Sequence, residues 1–197
     1  MKNKYKMLAL AGLFAALPPA ASATTIDFQS FAIGTYSSLS TADFTITYTG
    51  GDGTFDVTSA SPGAPIVDHA LISFFQNPGT APFKVTFHTA VSAFSIGVGD
   101  YNGDVDYTFL EAYSASDTLL DSDTYVNPET MYGGGFLTAS SATPISYVLF
   151  WDAEPYAGAV YWDTMSYDKN SVPEPAALAL FGLGLASLGF TRRRRGA

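Results

Sequence analysis

The sequence predicts an all-β fold, an antiparallel two-sheet sandwich resembling a jelly roll, with a helical leader before it and a transmembrane helix after it. The 197 residues include 15 Phe, 12 Tyr and 18 Gly, whereas Lys, Arg, Glu and Leu are scarce. This usage is typical of short strands joined by tight turns. Apolar and polar residues alternate in short runs with no helical period between them, which favours two packed sheets over a helical or mixed fold.

The candidate strands are bounded by Gly, Pro, Asn and Asp, the residue types that end strands and form turns. The Gly-rich run at residues 50–53 predicts a turn between two strands, and residues 127–135, which contain three consecutive glycines, predict a longer loop. The strands are predicted at residues 25–31, 44–49, 54–58, 70–75, 83–88, 93–99, 105–113, 118–125, 145–151 and 159–167.

The first 23 residues have the three parts of a secretory signal peptide. Lysines precede the apolar run 7–17, and the small residues Ala21 and Ala23 occupy the −3 and −1 positions of a cleavage site. An apolar run of this length is too short to span a bilayer. We therefore expect signal peptidase to cleave after Ala23 and the protein to be exported; a buried N-terminal helix would not explain the flanking residues.

The last 26 residues, 172–197, have an equally defined order. Pro173, Glu174 and Pro175 precede an apolar stretch at residues 176–190, and the prolines keep Glu174 on an extended segment outside a helix. As a helix the apolar stretch is roughly 22 Å long, short of the ~30 Å hydrocarbon core, so it predicts a marginal transmembrane anchor. Positive charge at its end would stay cytoplasmic. The charged residues are Arg192, Arg193, Arg194 and Arg195.

This order of Pro-Glu-Pro, short apolar helix and arginine cluster resembles the PEP-CTERM sorting signal of bacteria that make exopolysaccharide. The same tail is sometimes labelled an ice-binding protein C-terminal region. The resemblance implies that exosortase, a membrane-embedded cysteine transpeptidase, recognises Pro173, Glu174 and Pro175. It also implies that the protein is a substrate, held briefly in the inner membrane and then sorted to the cell envelope, outer surface or biofilm matrix. The alternative is an ordinary single-span anchor.

The predicted domain, residues 24–171, is strongly acidic. It holds 17 acidic residues against two lysines, Lys84 and Lys169, and therefore about fifteen net negative charges. Such a surface repels phosphate backbones, which excludes nucleic acid as a partner. It favours solubility or cation binding. Because the chain has no cysteine, disulfides, thiolate metal sites and cysteine nucleophiles are excluded.

One acidic run predicts a candidate metal site. Oxygen donors at alternating positions, followed by a more distant carboxylate, suit a hard cation such as Ca²⁺. The run lacks the glycine and the flanking helices of an EF-hand, and the alternative is a solvated Asx/Gly turn between two strands. The candidate ligands are Asp100, Asn102, Asp104, Asp106 and Glu111.

Aromatic residues near predicted strand ends suggest a candidate carbohydrate site, because exposed rings stack on the apolar faces of sugars. The candidates are Trp151, Tyr156 and Trp162, and the alternative is that these rings belong to the core. The runs 87–99, 110–113 and 162–167 look like the sandwich bodies found upstream of PEP-CTERM tails, which resemble carbohydrate-binding jelly rolls.

We expect no catalytic activity. The chain has two histidines and none of the common nucleophile, metalloprotease or phosphate-binding motifs. A carboxylate pair such as Glu111 with Asp163 would suit a glycoside hydrolase, but the spacing does not select this pair from the other acids. The alternating Thr45, Thr47 and Thr49 would suit an ice-binding protein, and the simpler interpretation is a polar strand face.

Overall fold

The computed structural model describes residues 23–73, 81–101, 104–128, 132–153 and 160–169. The predicted leader up to residue 22 and the tail from residue 170 lie outside these residues, as do Asn102 and Tyr156. No helix within the described ranges is long and apolar enough to cross a membrane. The strands described below belong to one compact unit, residues 21–170.

The described residues form strands almost throughout, which confirms the all-β prediction. A short 3₁₀ helix, Phe28–Ser30, follows the first strand. The strands are β1 (Ala23–Ile26), β2 (Gly34–Tyr36), β3 (Leu39–Ser40), β4 (Phe44–Tyr48), β5 (Phe55–Gly63), β6 (Ile66–Ile72), β7 (Phe83–Asp100), β8 (Asp106–Tyr113), β9 (Leu119–Asn127), β10 (Gly133–Asp152) and β11 (Tyr161–Lys169).

These strands are hydrogen-bonded into one antiparallel sheet, whereas the sequence predicted two separate sheets. The difference arises from β7 and β10, which pair with each other along most of their length and are far longer than predicted. Residues 83–87 of β7 also pair with β4, and residues 91–99 also pair with β11. Register shifts between Ser140 and Tyr147 of β10 mark irregularities of the kind that bend a strand. Both strands therefore run from one part of the sheet into the other.

The sheet packs against itself through aromatic rings on strands that are not paired in the described sheet. The ring of Phe55 on β5 lies 5.5 Å from that of Phe83 on β7. Phe150 on β10 lies 4.7 Å from Trp162 on β11. Two layers therefore enclose the larger of two buried apolar clusters while sharing their long strands. Burial of such rings contributes to the hydrophobic driving force for this arrangement.

The predicted loop at residues 127–135 is partly wrong, because Gly133, Gly134 and Gly135 open β10 and pair with the end of β7. A Cβ atom at Gly134 would clash with the carbonyl oxygen of Val98, and one at Gly135 would clash with the ring of Tyr125. Glycine is needed here for close packing within a sheet. In the sequence, a run of glycines required for packing looks the same as a run that forms a turn.

The turn predicted at residues 50–53 is confirmed. The N–H of Gly53 donates to the carbonyl oxygen of Gly50 over 2.8 Å. Gly51 and Gly53 have φ angles of 50° and 77°, which favour glycine. This turn connects β4 to β5, as the spacing predicted.

Asp163 on β11 joins three parts of the chain from a fully buried position. Its Oδ2 accepts a hydrogen bond from the N–H of Val67 at 3.0 Å. Its Oδ1 accepts from the N–H groups of Thr164 at 2.6 Å and Phe28 at 3.4 Å. The carboxylate thereby holds the 3₁₀ helix and the start of β6 against β11. Asp163 has no exposed surface, so its carboxylate is not open to a substrate beside Glu111.

Two further carboxylates cover the free edge of the first half of β10. Asp123 on β9 accepts from the N–H of Thr138, and Asp121 accepts from the N–H of Ser140, each over 2.8 Å. These side chains satisfy backbone donors that would otherwise offer an edge for pairing with another chain. The acidic surface is therefore partly structural.

We expect Asp163→Ala to lower the free energy of unfolding by about 3 kcal/mol, because it leaves three backbone N–H groups, one in a buried and two in part-buried hydrogen bonds, without their acceptor. Asp123→Ala is the matched control, since its carboxylate also accepts from backbone N–H but is partly exposed to water. We expect that control to cost about 1 kcal/mol. Urea unfolding measures both values. Equal losses in the two variants would contradict the role of burial.

Stability should also depend on pH through Asp163. Burial raises the pKa of this carboxyl, although hydrogen bonds from the backbone N–H groups of Val67, Thr164 and Phe28 oppose the shift. A group whose pKa is higher in the folded state stabilises the fold at low pH and loses that contribution as pH rises through the folded pKa. The stability of the wild type relative to Asp163→Asn should therefore fall as pH rises from about 4 towards neutrality. Urea unfolding over a pH series measures this difference, and an increase with pH would contradict the assignment.

Candidate functional site

Several strand ends meet at one end of the described sheet. Asp100, the last residue of β7, pairs with Gly133, the first of β10. Asp106, the first residue of β8, pairs with Asn127, the last of β9. The turn between β5 and β6 reaches the same place, because the N–H of Gly134 donates to the carbonyl oxygen of Ala64 over 3.2 Å. We call this region the loop end.

Three acidic residues of the predicted metal site come together at the loop end. Each of Asp100, Asp104 and Asp106 offers a carboxylate oxygen, and these oxygens lie within 4.8 Å of one another. Asp106 is 5% exposed, and the other two are partly exposed. Burial, and then the negative charges of Asp100 and Asp104, raise the pKa of Asp106 to about 6. The cluster therefore concentrates like charges around one carboxyl group, that of Asp106, which water reaches poorly.

Glu111 does not belong to this cluster. Along β8 the even-numbered side chains point into the core and the odd-numbered ones point outward, so Glu111 and Asp106 lie on opposite faces. Glu111 instead accepts a hydrogen bond from the hydroxyl of Tyr113 at 2.5 Å, which raises the pKa of that hydroxyl to about 12. The sequence placed Glu111 by its distance along the chain and took no account of the alternation.

Asn127 joins the cluster, although the sequence analysis did not select it. Its side chain is 1% exposed, and its Nδ2 donates to Asp106 Oδ2 at 3.4 Å and to the carbonyl oxygen of Gly133 at 3.2 Å. In the part of the chain that the structure describes, its Oδ1 has no hydrogen-bond partner. The pairing of β8 with β9 brings Asn127 beside Asp106, and no short sequence motif indicates it.

Partly exposed rings lie in two pairs on the outward side of β8 and β10. Phe109 stacks on Trp151 with 5.3 Å between ring centres and 17° between planes. Tyr113 stacks on Tyr147 at 5.0 Å and 10°. The pairs are four residues apart along β8, or roughly 13 Å, and Glu111 lies between them. We call these four residues the outer aromatic face.

The outer aromatic face includes one of the three predicted stacking residues. Trp151 lies on it, Trp162 is 1% exposed within the core, and Tyr156 lies outside the described residues. The expectation that Trp162 stacks on a ligand is therefore wrong, because β11 turns this ring towards Phe150. Phe109, Tyr113 and Tyr147 were missed, although the alternation along β8 would have placed the first two on one face.

Two threonines of the predicted row form hydrogen bonds within the protein. The hydroxyl of Thr45 lies 3.1 Å from His88 Nε2, and that of Thr49 donates to the carbonyl oxygen of Pro82 over 2.9 Å.

At the predicted cleavage position, Ala23 opens β1 and pairs with Asp168, while Ala21 lies outside the described residues.

Comparison with known proteins identifies the tail. Residues 171–195 match the PEP-CTERM protein-sorting motif, which agrees with the resemblance found in the sequence. This motif indicates export and sorting to the cell surface. No curated protein sequence matches the chain.

The solved structures that are similar to this chain include two remote ones. The first is the enzymatically active domain of tailspike protein 4 from bacteriophage CBA120, with 14% identity and a TM-score of 0.42 over 64% of this chain and 19% of that chain. The chain thus spans a small part of the tailspike. The second is CsCBM6-3 from Clostridium stercorarium in complex with cellobiose, with 13% identity and a TM-score of 0.36 over 75% of this chain and 94% of that chain.

Proposed function

We propose that this protein is an exosortase substrate that is exported, processed at its C-terminal tail and retained at the cell surface or in an exopolysaccharide matrix. The match of residues 171–195 to the PEP-CTERM protein-sorting motif carries this proposal. Exosortase would recognise Pro173, Glu174 and Pro175. Signal peptidase would remove the leader after Ala23. Residues 176–190 would serve as a transient membrane helix, with the arginine cluster on the cytoplasmic side.

The body, residues 24–171, would have no catalytic activity of its own. Both histidines contact backbone carbonyl oxygens of distant residues, since His69 Nδ1 lies 3.0 Å from the carbonyl oxygen of Phe31 and His88 Nδ1 lies 3.1 Å from that of Ala42. The buried Asp163 is committed to backbone N–H groups. These contacts give Asp163 and the two histidines structural roles within the body.

Substitution of the sorting tripeptide should block processing. In a host that contains exosortase, we expect wild-type protein to lose residues 176–197 and Glu174→Ala to keep them, because the enzyme would recognise the extended tripeptide. Intact-mass measurement of the recovered protein distinguishes the two products. Glu111→Gln is the control, since it also removes a carboxylate but lies in the body, and it should be processed normally. A wild-type mass that keeps the tail would contradict the proposal.

A second candidate function, carbohydrate binding by the body, is favoured by the outer aromatic face. Its ring pairs are partly exposed, nearly parallel within each pair, and flank the carboxylate of Glu111. Lys84 Nζ lies 4.0 Å from the centre of the Tyr147 ring and adds a hydrogen-bond donor. Rings with nearby polar groups are what a sugar needs for stacking and hydrogen bonding. A jelly-roll-like sandwich remains our prediction for the body, and the packing of Phe150 on Trp162 supports its two layers.

Carbohydrate binding should depend on Trp151. We expect the wild type to be retarded in native gels that contain the host's exopolysaccharide, and Trp151→Ala to bind about tenfold more weakly because a stacking surface is lost. Tyr132→Ala is the matched control, since its ring is 70% exposed but lies at the loop end. Unchanged migration of the wild type in that gel, or equal retardation of Trp151→Ala and the wild type, would contradict this function.

A further inference from the structure

The loop end gathers negative charge away from the positive charges of the body. Asp100, Asp104 and Asp106 present oxygens within 4.8 Å of one another. The two lysines of residues 24–171 lie elsewhere, since Lys84 is over the ring of Tyr147 and Lys169 forms an ion pair with Asp43 at 2.9 Å. Carboxylates at such distances repel one another strongly where water is scarce. A bound cation would remove that repulsion.

The buried amide of Asn127 provides an independent observation. It faces Asp106, and its Oδ1 makes no hydrogen bond to any described residue. A buried amide oxygen normally accepts a hydrogen bond, so one without a partner calls for an explanation such as an ion. Oδ1 is bonded to the same carbon as the Nδ2 that reaches Asp106 Oδ2 and the carbonyl oxygen of Gly133, so this buried oxygen lies beside the carboxylate cluster. A cation bound there would give Oδ1 the partner that it lacks among the described residues.

We propose that the loop end binds one Ca²⁺ ion through Asp100, Asp104, Asp106, Asn127 and the carbonyl oxygen of Gly133. All five donors are oxygens, which suit a hard cation, and the set holds none of the nitrogen or sulfur ligands that zinc prefers. Ligands taken from several loops adapt to the variable geometry of Ca²⁺ more readily than to the strict octahedron of Mg²⁺.

The ion would connect the ends of β7, β8, β9 and β10. Asp100 and Asp106 flank the loop between β7 and β8, while Asn127 and Gly133 flank the loop between β9 and β10. In a chain without cysteine, such an ion would hold these loops as a disulfide does elsewhere. The proposal does not depend on sorting, because unprocessed chain carries the same residues.

The test is calorimetric titration of the full chain with CaCl₂ after chelator treatment, together with thermal unfolding with and without the ion. We expect one ion per chain with a dissociation constant of roughly 10⁻⁴–10⁻³ M, as in extracellular modules, and a higher melting temperature with CaCl₂. Asp106→Asn should weaken binding at least about tenfold and abolish the thermal shift. Glu111→Gln is the matched control on the opposite face of β8, and it should bind as the wild type does.

Several results would overturn the proposal. Absence of binding heat and thermal shift in the wild type at about 10 mM CaCl₂ would reject it. Equal binding by Asp106→Asn and the wild type would show that calcium associates only with the general acidic surface. Binding of MgCl₂ as tight as that of CaCl₂ would reject the assignment to Ca²⁺. If Asp106→Asn does not fold, Asp100→Asn, at a partly exposed position, serves instead, and unchanged binding by that variant would equally reject the site.

Discussion

The pairing of β7 with β10 is the constraint on which the rest of the described structure depends. These strands are long enough to belong to both layers, and irregularities in their register allow them to bend. β4 and β11 pair with successive segments along one edge of β7. The aromatic rings of the two layers therefore meet across the core. The same pairing brings Gly133 to Asp100 and thereby builds the loop end.

The acidic residues of the body have at least three different roles. Asp163 is buried and satisfies backbone N–H groups. Asp121 and Asp123 cover an edge of β10. Asp106 belongs to a cluster of like charges, and its burial, followed by the charges of Asp100 and Asp104, raises its pKa. A net charge gives only the sum of the individual charges and not their roles. It therefore predicts solubility and repulsion of nucleic acid without locating a site.

The tail and the body bear on separate aspects of function. The motif at residues 171–195 concerns where the protein goes, and its information lies in a short linear segment. The body concerns what the protein does there, and its candidate sites are surfaces. The outer aromatic face lies on the sides of β8 and β10, whereas the loop end lies beyond their termini. A polysaccharide and an ion could therefore be held without competition for the same residues.

The sequence by itself determined the all-β class, the turn at Gly50 to Gly53, the sorting motif and the grouping of Asp100, Asp104 and Asp106. Each of these depends on residues close together along the chain. The tertiary structure alone decided that Asn127 replaces Glu111 beside Asp106, that Trp162 is buried, and that Gly133 to Gly135 open a strand. The physical reason is that strand pairing joins residues distant in sequence, and register fixes which face each side chain takes.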